Sequence, residues 1–113
     1  MTVQPGTYNI TLQRRADYSV LLQFKDSTGT AIDITGYTVA AQVWDKARTT
    51  KSADFSITYT DRPNGEVTLG LTGTQTEAFP DQELYYDVLV TDTGGVKSYY
   101  LEGVIFIQQG YTA

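Results

Sequence analysis

The sequence predicts an all-β chain folded as a two-sheet antiparallel sandwich, one domain spanning residues 1–113. Three observations carry the prediction. Apolar side chains alternate with polar ones at a period of two along most of the chain. About eight such runs recur at spacings near ten residues, the signal of an all-β sandwich. Gly, Asn and Asp separate them, most clearly in Arg62-Pro63-Asn64-Gly65. There Asn64-Gly65 tolerates positive φ, and Val67, Leu69 and Leu71 then point one way while Thr68, Gly70 and Thr72 point the other. The pattern contains no βαβ unit and leaves no room for a barrel around a large ligand.

Residues 7–14 form the first expected strand, with Tyr8, Ile10 and Leu12 on one face. Residues 18–25 form the second, with Tyr18, Val20, Leu22 and Phe24 in register, and Asp26-Ser27-Thr28-Gly29 closes it. A short strand is expected over 31–35 with Ile32 and Ile34 inward, followed by a bend at Gly36. Residues 37–45 make a central strand in which Val39, Ala41 and Val43 oppose Trp44. Residues 46–53 are polar and without period, the expectation for the longest loop. Phe55, Ile57 and Tyr59 mark the next strand, and 66–71 its return. Thr74-Gln75-Thr76-Glu77 matches a capping box for a single helical turn, with Phe79 plugging the end of the core. Residues 82–91 are the strongest strand, with Leu84, Tyr86, Val88 and Val90 on one face. Asp92-Thr93-Gly94-Gly95 turns the chain into 96–101, Glu102-Gly103 reads as a bulge, 104–107 completes the sheet, and 108–113 is a tail. The expected core is Ile10, Leu12, Val20, Leu22, Val39, Val43, Leu69, Leu71, Val88 and Val90.

Composition narrows the chemistry. The 8 basic residues are scattered against 13 acidic ones, for a formal charge of −5, which argues against nucleic acid or anionic lipid as ligand. With no Cys and no His, disulfides, thiolate metal sites, cysteine nucleophiles and histidine bases are excluded. A Cys-free small domain fits synthesis in a reducing compartment. Residues 1–6 show no basic start and no apolar run, so no secretory leader is expected, and no membrane insertion follows from any segment's length.

Carboxylates are then the acid/base candidates. Asp61 with Glu66, or Asp81 with Glu83, would be the pairs for glycoside hydrolysis, but turn and strand-end acids facing water explain them more simply. Asp92 with turn oxygens lacks any EF-hand spacing for calcium. Asp87 sits within an apolar strand, so it either faces solvent or accepts hydrogen bonds from a bend or a basic partner; Glu102 sits comparably beside Gly103, and satisfying turns and bulges is the expected role of both, with ligand binding the alternative. No catalytic residue, cofactor or metal is expected.

Nine tyrosines are many for this length, and Tyr85-Tyr86 and Tyr99-Tyr100 must each turn one ring out of the core. Outward rings suit a subunit interface, and less readily an aromatic platform for sugar, which needs amides and acids around a groove. Trp44, Tyr85, Tyr99, Tyr100 and Tyr111 are the interface candidates, together with the chain ends. Trp44 also has a plainer reading, as a lid over the sheet or half of a bulge.

Three blocks carry a family resemblance. They are Phe24-Lys25-Asp26-Ser27-Thr28-Gly29-Thr30-Ala31-Ile32-Asp33-Ile34-Thr35-Gly36-Tyr37-Thr38-Val39, then Pro63-Asn64-Gly65-Glu66-Val67-Thr68-Leu69 with Leu71-Thr72 and Thr76, then Tyr85-Tyr86-Asp87-Val88 with Leu101-Glu102-Gly103-Val104. Together they resemble the immunoglobulin-like β-sandwich of tailed-phage structural proteins, such as the N-terminal domain of the baseplate upper protein, from about residue 7 to the last strand. The resemblance implies a non-enzymatic virion protein made in the host cytoplasm. As a free-standing domain it would be a tail, baseplate or neck adaptor, or a capsid decoration protein. Its partners would be itself, as a symmetric oligomer, and other virion proteins; a host-surface glycan is the alternative. Tyr99-Tyr100, where relatives are more polar or basic, and Trp44, where Arg is more usual, depart from the family pattern.

Overall fold

Among residues 6–26, 28–80 and 83–108, which the computed structural model describes, nine strands form. They are β1 (Gly6–Thr7), β2 (Ile10–Gln13), β3 (Tyr18–Gln23), β4 (Thr38–Trp44), β5 (Lys51–Asp54), β6 (Ser56–Asp61), β7 (Glu66–Leu71), β8 (Leu84–Thr91) and β9 (Lys97–Gln108). One short helix, α1 (Gly73–Glu77), lies between β7 and β8. Six strands make the larger sheet, ordered β1-β9-β8-β4-β5 with β2 also on β9, and β3-β7-β6 make the smaller one.

The period-two pattern places the core between these layers. Val39, Ala41 and Val43 of β4 and Leu84, Tyr86, Val88 and Val90 of β8 are buried, as are Val67, Leu69 and Leu71 of β7. Each such Val or Leu contributes about 1.5–3 kcal/mol relative to exposure. Phe24, Ile34, Phe55, Phe79 and Ile105 join the same core. Of the ten residues expected inside, only Val20 and Leu22 are half-buried, because β3 is an edge of the smaller sheet. The result is an immunoglobulin-like sandwich, as expected from the sequence.

Several expectations are corrected. The sheets are not wholly antiparallel: β1 and β2 run parallel to β9, with Gly6 opposite Leu101 and Ile10 opposite Ile105. Alternation fixes which face a residue takes, not the direction of its partner. The expected loop contains β5, a polar edge strand on β4 that buries only Ala53, and the expected first strand divides into β1 and β2. Residues 31–35 form no strand beyond an isolated Lys25–Ala31 bridge. Instead Ile32 N–H donates to the Phe24 carbonyl and Ile34 N–H to that of Arg62, so the segment is tied to two different neighbours. The capping box lies two residues earlier: Thr72 accepts from the Gln75 N–H and Gln75 Oε1 from the Thr72 N–H. Tertiary bonds select this frame, since the Gly73 N–H donates to Asp17 and the buried Thr76 hydroxyl to the Ala16 carbonyl. Finally, β9 runs unbroken through Glu102-Gly103, and its bulge falls at Tyr100.

Candidate functional site

The outer face of the larger sheet gathers the chemistry. Trp44 on β4 is the register partner of Tyr85 on β8, which in turn faces Val104 on β9. The next outward row runs Gln42, Asp87, Glu102, and the one after it Ala40, Leu89, Tyr99. Directly opposed residues have Cβ atoms roughly 4.5–5.5 Å apart, so each row is a contact line. Three of the five sequence candidates, Trp44, Tyr85 and Tyr99, therefore share one face.

The bulge decides which tyrosine is there. Leu101 pairs inward with Val88, and Leu89 then pairs with Tyr99 because Tyr100 is the extra residue. Regular pairing would have put Tyr100 outside and Tyr99 in the core. Tyr99 is instead 48% exposed. Tyr100 turns inward, edge-on to Phe24 with ring centroids 4.4 Å apart, and its hydroxyl accepts from the Lys25 N–H at 3.0 Å. Tyr100 thus belongs to the joint between sheets rather than to the outer face. Tyr111, Asp81 and both chain ends lie outside the described residues.

Trp44 is held from two sides. Its indole N–H donates to Gln42 Oε1 at 2.9 Å, and the Arg48 guanidinium stands over its ring, 5.4 Å from the centroid. Arg48 comes from the β4–β5 hairpin, where it takes a left-handed φ of 58°. Asp45 ties that hairpin: its carboxylate accepts from the Thr49 and Thr50 N–H groups and from the Thr49 hydroxyl. The Thr49 hydroxyl, foremost, and these amides hold Asp45 below the usual carboxylate range.

Beside Trp44 lies a shallow concavity of about 430 Å³. Tyr85, Asp87, Glu102 and Val104 line its sheet side; Trp44, Asp45, Lys46 and Arg48 flank it from the hairpin, and Thr7 of β1 and Asn9 of the β1–β2 connection from the N-terminal side. This last flank depends on Gly103. The chain kinks between β1 and β2 so that the Tyr8 carbonyl lies where a Cβ at Gly103 would stand, 2.0 Å away. The Tyr86 hydroxyl donates to that carbonyl, and Asn9 Oδ1 accepts from the Val104 N–H.

Burial pushes the Asp87 carboxyl up from its ordinary value; Arg48 opposes the shift and Glu102 adds to it. Among the described residues, neither the Asp87 nor the Glu102 carboxylate accepts a hydrogen bond or closes an ion pair. The expected structural role for this pair, bracing a bend or bulge, is therefore absent. The other acids do brace turns. Asp61 caps the 3-10 turn Arg62–Asn64, and Asp92 accepts from the Gly94 and Val96 N–H groups. Among the described residues no group of three or more His, Cys, Asp or Glu is placed to hold a metal, and no helix is long and apolar enough to cross a membrane. Sequence reading did not single out Arg48, Gln42 or Asn9, because only the strand pairing and the hairpin's left-handed residue bring them to Trp44 and Asp87.

No family model matches the chain, and no curated protein matches it. Among solved structures it is similar to the crystal structure of the Lin-41 filamin domain, at 19% identity and a TM-score of 0.47, over 88% of this chain and 84% of that one.

Proposed function

We propose that this protein is a non-enzymatic structural subunit of a tailed-phage virion, made in the host cytoplasm. In this reading it is an adaptor or accessory of tail, baseplate or neck, docking on copies of itself or on other virion proteins. The observation that carries the docking role is the convergence of Trp44, Tyr85 and Tyr99 on one face. Aromatic residues of this kind are enriched where protein surfaces meet, and truncating a central one commonly costs more than about 1–2 kcal/mol of binding. The three phage-like sequence blocks support the virion setting. A capsid decoration protein would use the same face.

The test is assembly with Trp44→Ala and Tyr99→Ala proteins that still fold. They are expected to load poorly onto particles, and loading equal to the parent's overturns the reading. A second reading, attachment to a host glycan, draws on the concavity, which sets aromatic rings, carboxylates and an amide around one hollow. A glycan array separates it: specific sugar binding lost on Tyr85→Ala would replace protein docking with adhesion.

A further inference from the structure

Asp87 and Glu102 stand as cross-strand partners in the concavity, between the Trp44–Tyr85 row and the Leu89–Tyr99 row. Like charges on directly opposed strand positions repel, and these two carboxylates have unfilled acceptor positions toward solvent. A neutral hydroxyl would fill an acceptor and leave the repulsion. A cation would do both. The chain's own Arg48 guanidinium already stands over the Trp44 indole on this side of the hollow, 5.4 Å from the ring centroid, a cation–π placement. Arg48 does not close an ion pair with either acid. The protein as a whole carries −5, so a basic partner is also drawn at longer range.

We infer that the concavity over Asp87 and Glu102 receives an arginine side chain from the partner protein, its guanidinium bound by the two carboxylates and its plane against Trp44 or Tyr85. A guanidinium suits this hollow better than an ammonium, because its planar fork of donors meets carboxylates in pairs while its faces stack on rings. Arg48 then acts as the occupant of the ring in the free protein and must move or share the indole when the partner docks. The inference rests on the docking role proposed above and specifies the chemistry the partner brings.

Trp44 is the single tryptophan of the chain, so its fluorescence reports on this hollow directly. The probe is N-acetyl-arginine amide, with N-acetyl-citrulline amide as the neutral isostere and maltotriose, cellotriose and chitotriose as sugars. The arginine probe should change Trp44 emission saturably, weaken with added salt, and bind at least about tenfold more tightly than citrulline, as charge-assisted bonds require. The Asp87→Asn/Glu102→Gln protein should lose that response. Arg48→Ala should tighten the probe, because the competing cation is gone; a merely structural Arg48 predicts no change, and a sugar-binding Arg48 predicts weaker sugar binding. No saturable response to arginine, equal response to citrulline, or a saturable response to a sugar instead overturns the inference. Should arginine fail while Trp44→Ala still abolishes particle loading, only the arginine falls and the docking role stands.

Discussion

The two sheets present opposite kinds of outer surface. On the smaller sheet Ser19, Leu21 and Gln23 of β3, Glu66, Thr68 and Gly70 of β7, and Ser56, Thr58 and Thr60 on β6 face outward. Most are small, and several satisfy one another: Thr60 and Thr68 share a hydroxyl bond of 2.7 Å, and the Ser56 hydroxyl donates to the Gly70 carbonyl at 3.2 Å. On the larger sheet the same positions hold Trp44, Tyr85 and Tyr99 around two carboxylates whose acceptors are unfilled. A surface that satisfies itself has little to gain from a partner, whereas one with large rings and unmet acceptors gains both apolar burial and hydrogen bonds. Under the proposed docking role, this asymmetry favours one side of the sandwich.

The largest expected effect separates the two sheets at their glycines. Gly103→Ala on β9 meets the Tyr8 backbone and should lower stability by about 3 kcal/mol, the upper end of overpacking costs. Gly70→Ala on β7 meets chiefly the movable Ser56 hydroxyl at 2.7 Å and should cost under about 1 kcal/mol. Urea unfolding of the two variants checks the ratio; equal losses would remove the claim that the N-terminal kink depends on Gly103. Tyr86→Phe keeps the ring in the core and removes only the bond to the Tyr8 carbonyl. It should cost about 1 kcal/mol, read from the same experiment. Trp44→Ala and Leu21→Ala sharpen the comparison of faces. Each should change stability by no more than about 1 kcal/mol, yet only Trp44→Ala should reduce particle loading; a matching loss with Leu21→Ala would make both faces interfaces.

The smallest effect is a pH dependence. The folded pKa of Asp87 is raised, so its ionised form disfavours folding at pH above that value, and the penalty fades as pH falls toward the ordinary carboxylate range. Asp87→Asn should therefore be slightly more stable than the parent at neutral pH, with the gap closing in acid. Asp45 has the opposite sign: its pKa is lowered, so it stabilises above the usual carboxylate range and that contribution is lost in acid. Asp45→Asn should lower stability at neutral pH and flatten the acid side of the curve. Urea midpoints across a pH series check both signs, and a stability loss at neutral pH in Asp87→Asn would mean that its carboxylate braces the fold.

Much of this was legible in the residues because side-chain parity is a property of the strand alone. Val43 in and Trp44 out, Tyr86 in and Tyr85 out, follow from alternation within one run. What parity cannot carry is pairing. The parallel docking of β1 and β2 leaves the same alternation as an antiparallel one. Two overlapping Thr-x-x-Gln/Glu frames, Thr72 with Gln75 and Thr74 with Glu77, both match a capping box, and remote Asp17 and Ala16 choose between them. β5 has almost no apolar signal, being an edge strand whose side chains mostly meet water. The concavity needed three facts that parity does not carry: the β4–β5 pairing for Arg48, the β8–β9 register for Asp87 beside Glu102, and the N-terminal kink for Asn9.

The parallel pairing of β2 with β9 has a further, mechanical consequence. Ile10 opposes Ile105 and Gln13 opposes Gln108, so the preceding chain enters at one end of this pair and the following chain leaves at the other. Tension applied before Ile10 and after Gln108 acts along both strands in opposite senses. The cross-strand hydrogen bonds are then loaded together in shear, instead of being peeled one at a time from a free end. Of the two strands loaded in this way, β9 also carries Glu102 and Val104 into the acidic hollow.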